Sequence, residues 1–155
     1  MKTTKIFNLA NLCLLLGIAA APLAQAASSC EITVESTDAM SFNTKKLDVP
    51  KSCKEFTLTL KHTGKLAKSV MGHNLVIAKA ADQQGILDDG NKAGAASDFL
   101  KANDTRVIAA TKIIGGGESA TTKFTVSKLD AKAAYVFFCS YPGHAFMMKG
   151  TVSIN

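Results

Sequence analysis

The scarcities in this 155-residue chain narrow its chemistry first. It holds three histidines (His62, His73 and His144), one arginine (Arg106) and no tryptophan. Three imidazoles are too few for more than one histidine-rich metal site. One arginine, with lysines scattered along the sequence, gives no support for phosphate recognition, and no nucleic-acid partner is expected. After the N-terminal segment no apolar run approaches the length of a spanning helix, so membrane insertion is not expected. No repeat, linker or low-complexity tract divides the chain. Asn103-Asp104-Thr105 matches a glycosylation acceptor, a triplet common by chance, and receives no role.

What is present begins with an export signal. Lys2 and Lys5 with no acid, an apolar stretch over residues 9–21, and Ala24-Gln25-Ala26 read as a secretory signal peptide over residues 1–26. Cleavage after about Ala26 leaves a mature chain of residues 27–155, exported and soluble, with the net charge reduced from +6 to +4 by loss of the two lysines. Cys13 leaves with the signal, and Cys30, Cys53 and Cys139 remain. In an oxidising compartment two of three cysteines pair. Cys30 opens one strand-like stretch and Cys53 precedes another, so a Cys30–Cys53 disulfide ties neighbouring strands and leaves Cys139 free. Lipidation of Cys30 is the alternative; residues 27–29 lack the aliphatic side chain expected three places before a lipidated cysteine.

Cys139 is followed by His144 and Met148 in Cys139-Ser140-Tyr141-Pro142-Gly143-His144-Ala145-Phe146-Met147-Met148. A thiolate and imidazoles in a trigonal set, with a weak axial thioether, are the ligands of a blue-copper electron-transfer centre. The missing imidazole is assigned to His73, in Met71-Gly72-His73-Asn74, where a glycine permits close backbone approach and an asparagine can hydrogen-bond a nearby sulfur. His62 instead continues the alternation of Phe56, Leu58 and Leu60, which points it to the inner face of a strand. It reads as a packed, hydrogen-bonded core histidine or as a pH-linked group.

Strand-like stretches cover residues 31–35, 42–49, 55–62, 74–78, 105–114, 122–127, 134–139 and 148–154, separated by turn signals such as Thr63-Gly64-Lys65 and Gly115-Gly116-Gly117. About 129 mature residues suffice for one all-β domain, a sandwich or barrel. Residues 80–100 are the exception, a long excursion with a short helix around residues 82–88.

These motifs carry a resemblance. Met71-Gly72-His73-Asn74, the spacing Cys139-x4-His144-x3-Met148, the stretch Asp38-Ala39-Met40-Ser41-Phe42-Asn43-Thr44, the run Arg106-Val107-Ile108-Ala109 and the two outer cysteines resemble the azurins, bacterial periplasmic blue-copper proteins of the cupredoxin family. Plastocyanin-like relatives place only two residues between the cysteine and the loop histidine. The resemblance spans the mature chain and implies an eight-stranded Greek-key β-sandwich carrying one type 1 copper. By position, His73, Cys139 and His144 would be equatorial ligands, Met148 axial, and the Gly72 carbonyl a distant partner. Backbone amides near Asn74 and Tyr141 would bond the Cys139 sulfur. Implied partners are c-type cytochromes, nitrite reductase or amine dehydrogenases, met by a monomer in transient complexes. Leu75 departs from members with a buried tryptophan there, and Ala110 from those with a surface histidine.

Rival readings remain. The apolar residues Met40, Leu66, Val70, Met71, Tyr141, Pro142, Phe146 and Met147 are read as an exposed docking patch around His144, as in azurins, or as plain core. An enzyme such as a copper oxidase needs a second copper with several more histidines, and only His62 is left. A copper carrier or store without an electron-transfer role is the alternative function. Structural zinc makes poor use of Met148.

Overall fold

The computed structural model describes Met1 and residues 29–155. The expected signal peptide therefore lies outside the described residues, Met1 apart. Strands form where side chains alternate. In β4 (Glu55–His62) Phe56, Leu58, Leu60 and His62 are buried, while Glu55, Thr57, Thr59 and Lys61 face outward or are half-buried. Each such apolar side chain contributes about 1.5–3 kcal/mol on burial.

Among the described residues, nine strands make two sheets. One has the order β2 (Ser41–Phe42), β1 (Glu31–Thr37), β4, β7 (Ser119–Thr125). The other has the order β3 (Lys46–Val49), β9 (Lys149–Ile154), β8 (Tyr135–Phe138), β5 (Val76–Lys79), β6 (Val107–Ala110). The β1–β4 and β3–β9 pairs are parallel and the others antiparallel. A parallel neighbour cannot be reached by a tight turn. The chain accordingly crosses to the opposite sheet as β3 between β1 and β4, which produces the Greek-key β-sandwich.

The strand expected over residues 42–49 is divided by this crossing. Phe42 pairs with β1, whereas Lys46–Val49 pairs with β9 in the other sheet. Asn43 marks the break: its N–H donates to the Glu35 carbonyl, and its Oδ1 accepts the Glu35 N–H. Counted as one bent strand, it restores the eight expected. The stretch over residues 105–114 is regular only in β6. Beyond it the Thr111 hydroxyl accepts the Leu75 N–H at 3.0 Å, and Ile114 forms an isolated bridge with His73. The Thr111 N–H still donates to the Leu75 carbonyl, so a side chain has replaced one bond of the pair, and the backbone beside the metal-loop residues becomes irregular.

Between the sheets lie Val34, Leu47, Phe56, Leu58, Leu60, Leu75, Ile77, Phe137 and neighbours, all buried. Leu75 is fully buried. A second, smaller core covers the outer face of β5 and β8, where Val76, Ala78 and Phe138 meet Ile86 of α2 (Gln83–Ala93) and Ala145. Successive residues of β5 and β8 thus bury opposite faces. Phe137 and Phe138 are accordingly both core, in different layers. Helix α2 runs further than expected and ends at Gly94, whose φ of 77° suits a residue without Cβ. Arg106 joins the excursion to the sandwich through Asp104 and Asp89, at 2.6 and 2.7 Å. One helical turn, α1 (Lys68–Met71), precedes Gly72. No helix among the described residues is long and apolar enough to cross a membrane.

Candidate metal centre

Strand ends deliver the site. Cys139 follows the last residue of β8, and its N–H donates to the Met148 carbonyl just before β9, at 3.0 Å. The intervening loop is closed by its own backbone. Gly143 turns the chain at φ 80°, the His144 N–H donates to the Tyr141 carbonyl, and the Met148 N–H donates to the His144 carbonyl. His73 enters from the opposite side, held by paired backbone hydrogen bonds with Ile114. Gly72 is required by space: a Cβ there would lie 2.4 Å from the Lys68 carbonyl oxygen and 2.7 Å from an Ile113 methyl carbon.

The three donors converge. His73 Nδ1 and His144 Nδ1 are 3.1 Å apart, and Cys139 Sγ lies 4.0 Å from the first and 3.8 Å from the second. His73 Nε2–H donates to the Thr37 carbonyl at 2.9 Å, which assigns the proton to Nε2 and turns the Nδ1 lone pair toward the sulfur. His144 is 5% exposed, and its Nδ1 faces the sulfur. Met148 is fully buried, with its backbone bonded to both Cys139 and His144.

Burial controls the protonation of this cluster. It pushes the Cys139 thiol up to about 12, against the opposing pull of hydrogen bonds from the backbone N–H groups of Asn74 and Tyr141 to the sulfur. It also lowers His73 to about 4, with the Thr37 carbonyl working the other way, and it lowers His144. Both imidazoles are thus neutral near pH 7, as ligands must be, while a Cys139 thiolate needs a cation to exist. A buried thiol between two imidazoles fits a soft, borderline cation; the donor chemistry suits copper.

A surrounding layer fixes these positions. Asn74 Nδ2–H donates to Ser140 Oγ at 2.7 Å, and the Ser140 N–H donates to Asn74 Oδ1 at 2.8 Å, clasping the two ligand segments together. The Ser140 hydroxyl in turn donates to the Asp98 carbonyl. The Tyr141 ring packs 4.5 Å from the His144 ring, and its hydroxyl donates to the Ser69 carbonyl in α1. Thr37, Ser140 and Asp98 were not singled out from sequence. Thr37 and Asp98 act through main-chain carbonyls, which leave no side-chain signature, and only Ser140, beside Cys139, offered a hint.

His62 is buried outside the cluster. Its Nδ1 accepts the Gly64 N–H and its Nε2–H donates to the Met71 carbonyl, both at 3.0 Å, so neither nitrogen is free for a metal. Its ring stacks on His73 at 4.6 Å. The packed reading of His62 and its nearness to the ligands hold together.

The apolar set divides by exposure. Met40, Leu66, Val70, Phe146 and Met147 are, with Met1, the exposed large hydrophobics among the described residues, Phe146 at 83%. Pro142 is exposed as well, whereas Met71 and Tyr141 are half-buried.

Comparison with known proteins agrees with this geometry. The model of a family described as copper binding proteins, plastocyanin/azurin family, matches residues 28–155. Azurin from Achromobacter denitrificans is 55% identical over 147 residues, covering 95% of this chain and 99% of that protein. Azurin-2 from Alcaligenes xylosoxydans xylosoxydans is 58% identical over 128 residues, covering 83% and 99%. Among solved structures, azurin Az-iso2 from Methylomonas sp. strain J superposes with a TM-score of 0.80 at 49% identity, over 83% of this chain and 99% of that one.

Proposed function

Because the chain belongs to the plastocyanin/azurin family of copper-binding proteins, and is an electron-transfer protein of one copper ion, we propose which of its residues do the work and for whom. His73, Cys139, His144 and Met148 would hold the copper, Met148 as the weaker thioether donor, with the Gly72 carbonyl as a further weak partner. The observation that carries this reading is the convergence of Cys139 Sγ with two imidazole nitrogens, all within 4.8 Å of one another and all buried.

Bound copper supplies a one-electron couple between Cu(II) and Cu(I). The chain's own contribution is rigidity. A thiolate at a strand end, two imidazoles locked by carbonyl and backbone bonds, and the Asn74–Ser140 clasp all limit rearrangement when the charge changes. The Asn74 and Tyr141 amides stabilise negative charge on the sulfur. Burial of every donor also argues against a carrier, which favours exchangeable, exposed ligands.

Residues 27–155 act as one domain, after removal of residues 1–26, in the periplasm. The protein is not an enzyme: it passes electrons between redox proteins such as c-type cytochromes, nitrite reductase or amine dehydrogenases, in brief complexes of a monomer. Docking uses Met40, Leu66, Val70, Met71, Tyr141, Pro142, Phe146 and Met147 around His144, since an apolar face over a ligand edge permits close, weakly specific contact. The copper-loaded mature protein should be intensely blue and bleached reversibly by ascorbate, and Cys139→Ser should abolish the colour. Stoichiometric copper(II) binding without strong colour would rule the assignment out.

A further inference from the structure

The apolar patch has charged edges of one predominant sign. Lys45, Lys65, Lys68 and Lys149 are all exposed and interleave with it. Lys45 is fixed there, its Nζ donating to the Met147 carbonyl at 2.8 Å, and its own carbonyl accepts the Thr151 N–H, which places it beside Lys149. Lys149 and Phe146 share a cleft of about 410 Å³ with Gln84 and Asn91 of α2. On the other side Lys65 precedes Leu66 and Lys68 begins α1, which the Tyr141 hydroxyl ties to the ligand loop.

The carboxylates near this end are differently arranged. Asp38 accepts the N–H groups of Lys65 and Leu66, and Glu118 accepts that of Gly115, so each carboxylate is engaged by backbone N–H groups, Asp38 across to the neighbouring loop and Glu118 within its own. Asp98 belongs to the half-buried segment that caps Ser140. An approaching surface therefore meets apolar side chains first and ammonium groups around them. Fields of this kind govern encounter rates more than final affinity.

We propose that this face selects an acidic redox partner, a protein whose own docking surface sets an apolar centre within a ring of carboxylates. The proposal rests on electron exit at the His144 edge, and its test separates the two ideas. Reduced, copper-loaded protein is oxidised by hexacyanoferrate(III), an anion, and by tris(phenanthroline)cobalt(III), a cation. At low ionic strength, Lys45→Gln with Lys149→Gln should slow the anionic oxidant about fivefold and speed the cationic one, both effects fading as salt screens them. Lys128→Gln with Lys132→Gln removes the same charge from the opposite end of the sandwich and should leave both rates nearly unchanged. Lys65→Gln with Lys68→Gln, on the other flank, should reproduce the first pair without touching the Met147 carbonyl.

Equal effects from the near and distant pairs would reduce the result to net charge and overturn the proposal. So would an unchanged anionic rate in both near pairs. A blue protein that reacts with neither oxidant would instead overturn the electron-exit reading beneath it.

Discussion

The parallel pair β1–β4 carries cysteine chemistry of one kind at its beginning and supports another at its end. Where the strands begin, Cys30 and Cys53 stand with Cα atoms 5.6 Å apart and are joined as a disulfide. Where they end, Thr37 holds the His73 ring, His62 stacks on it, and Cys139 lies beyond as a buried free thiol. A cysteine's role is thus set by what the fold places against it. A second thiol at bridging distance makes a staple that acts mainly on the unfolded chain. Two neutral imidazoles around a lone sulfur make a site that needs a cation to carry the sulfur's charge.

The largest test of this contrast is pH. Cys139, pushed up to about 12, must lose its proton to bind copper, whereas both histidines are already neutral near pH 7. Copper(II) affinity of the apo-protein, read by chelator competition, should rise about tenfold per pH unit from about pH 7 upward. A flat profile would mean that Cys139 is no ligand. His73 adds an effect of its own. Lowered to about 4, it binds fewer protons when folded than when unfolded between that value and its ordinary 6.5. Apo-protein stability should therefore decline as pH falls through this window.

Next in size is the staple. Replacing Cys30 and Cys53 together by alanine should cost about 3 kcal/mol in denaturant unfolding, on the chain-entropy account of a closed loop of this length. The blue band and the potential should persist, since the staple lies at the far end. A lost band would show that the two ends are not independent.

Smaller effects sharpen the metal end alone. Met147→Lys places a charge in the exposed patch beside, but not on, the ligand set. Electron self-exchange should fall at least tenfold, about 1.4 kcal/mol in activation free energy, with the spectrum intact. Unchanged self-exchange would move the exit elsewhere. Met148→Leu removes a weak donor that favours Cu(II), so the blue colour should remain and the potential rise. Failure of that variant to bind copper would make Met148 more than a tuning ligand.

Much of this is legible in the sequence alone. Alternation marked β4 and its inward His62, and the Cys139-to-Met148 loop announced its metal through residue types alone. The division of residues 42–49 was less legible, because Phe42, Leu47 and Val49 are apolar in a pattern that fits one continuous strand. The sheet change depends on Asn43 pairing with Glu35. The end of β6 was hidden for a similar reason: Thr111, a good strand former, uses its hydroxyl where a ladder bond was expected. The α1 turn left no apolar stripe, since none of its residues is buried.

The sequence by itself determined the donor types, their loop spacing and which cysteine stood apart, because these follow from side-chain chemistry and short chain distance. Tertiary structure decided which nitrogens face the sulfur and how far the thiol's proton affinity rises. It also decided which apolar side chains stay exposed and where lysines border them. Those properties depend on main-chain carbonyls such as that of Thr37, on complete burial of Cys139, and on strands distant in the chain meeting at one end of the sandwich. Such contacts are set by packing, and a linear sequence does not display them.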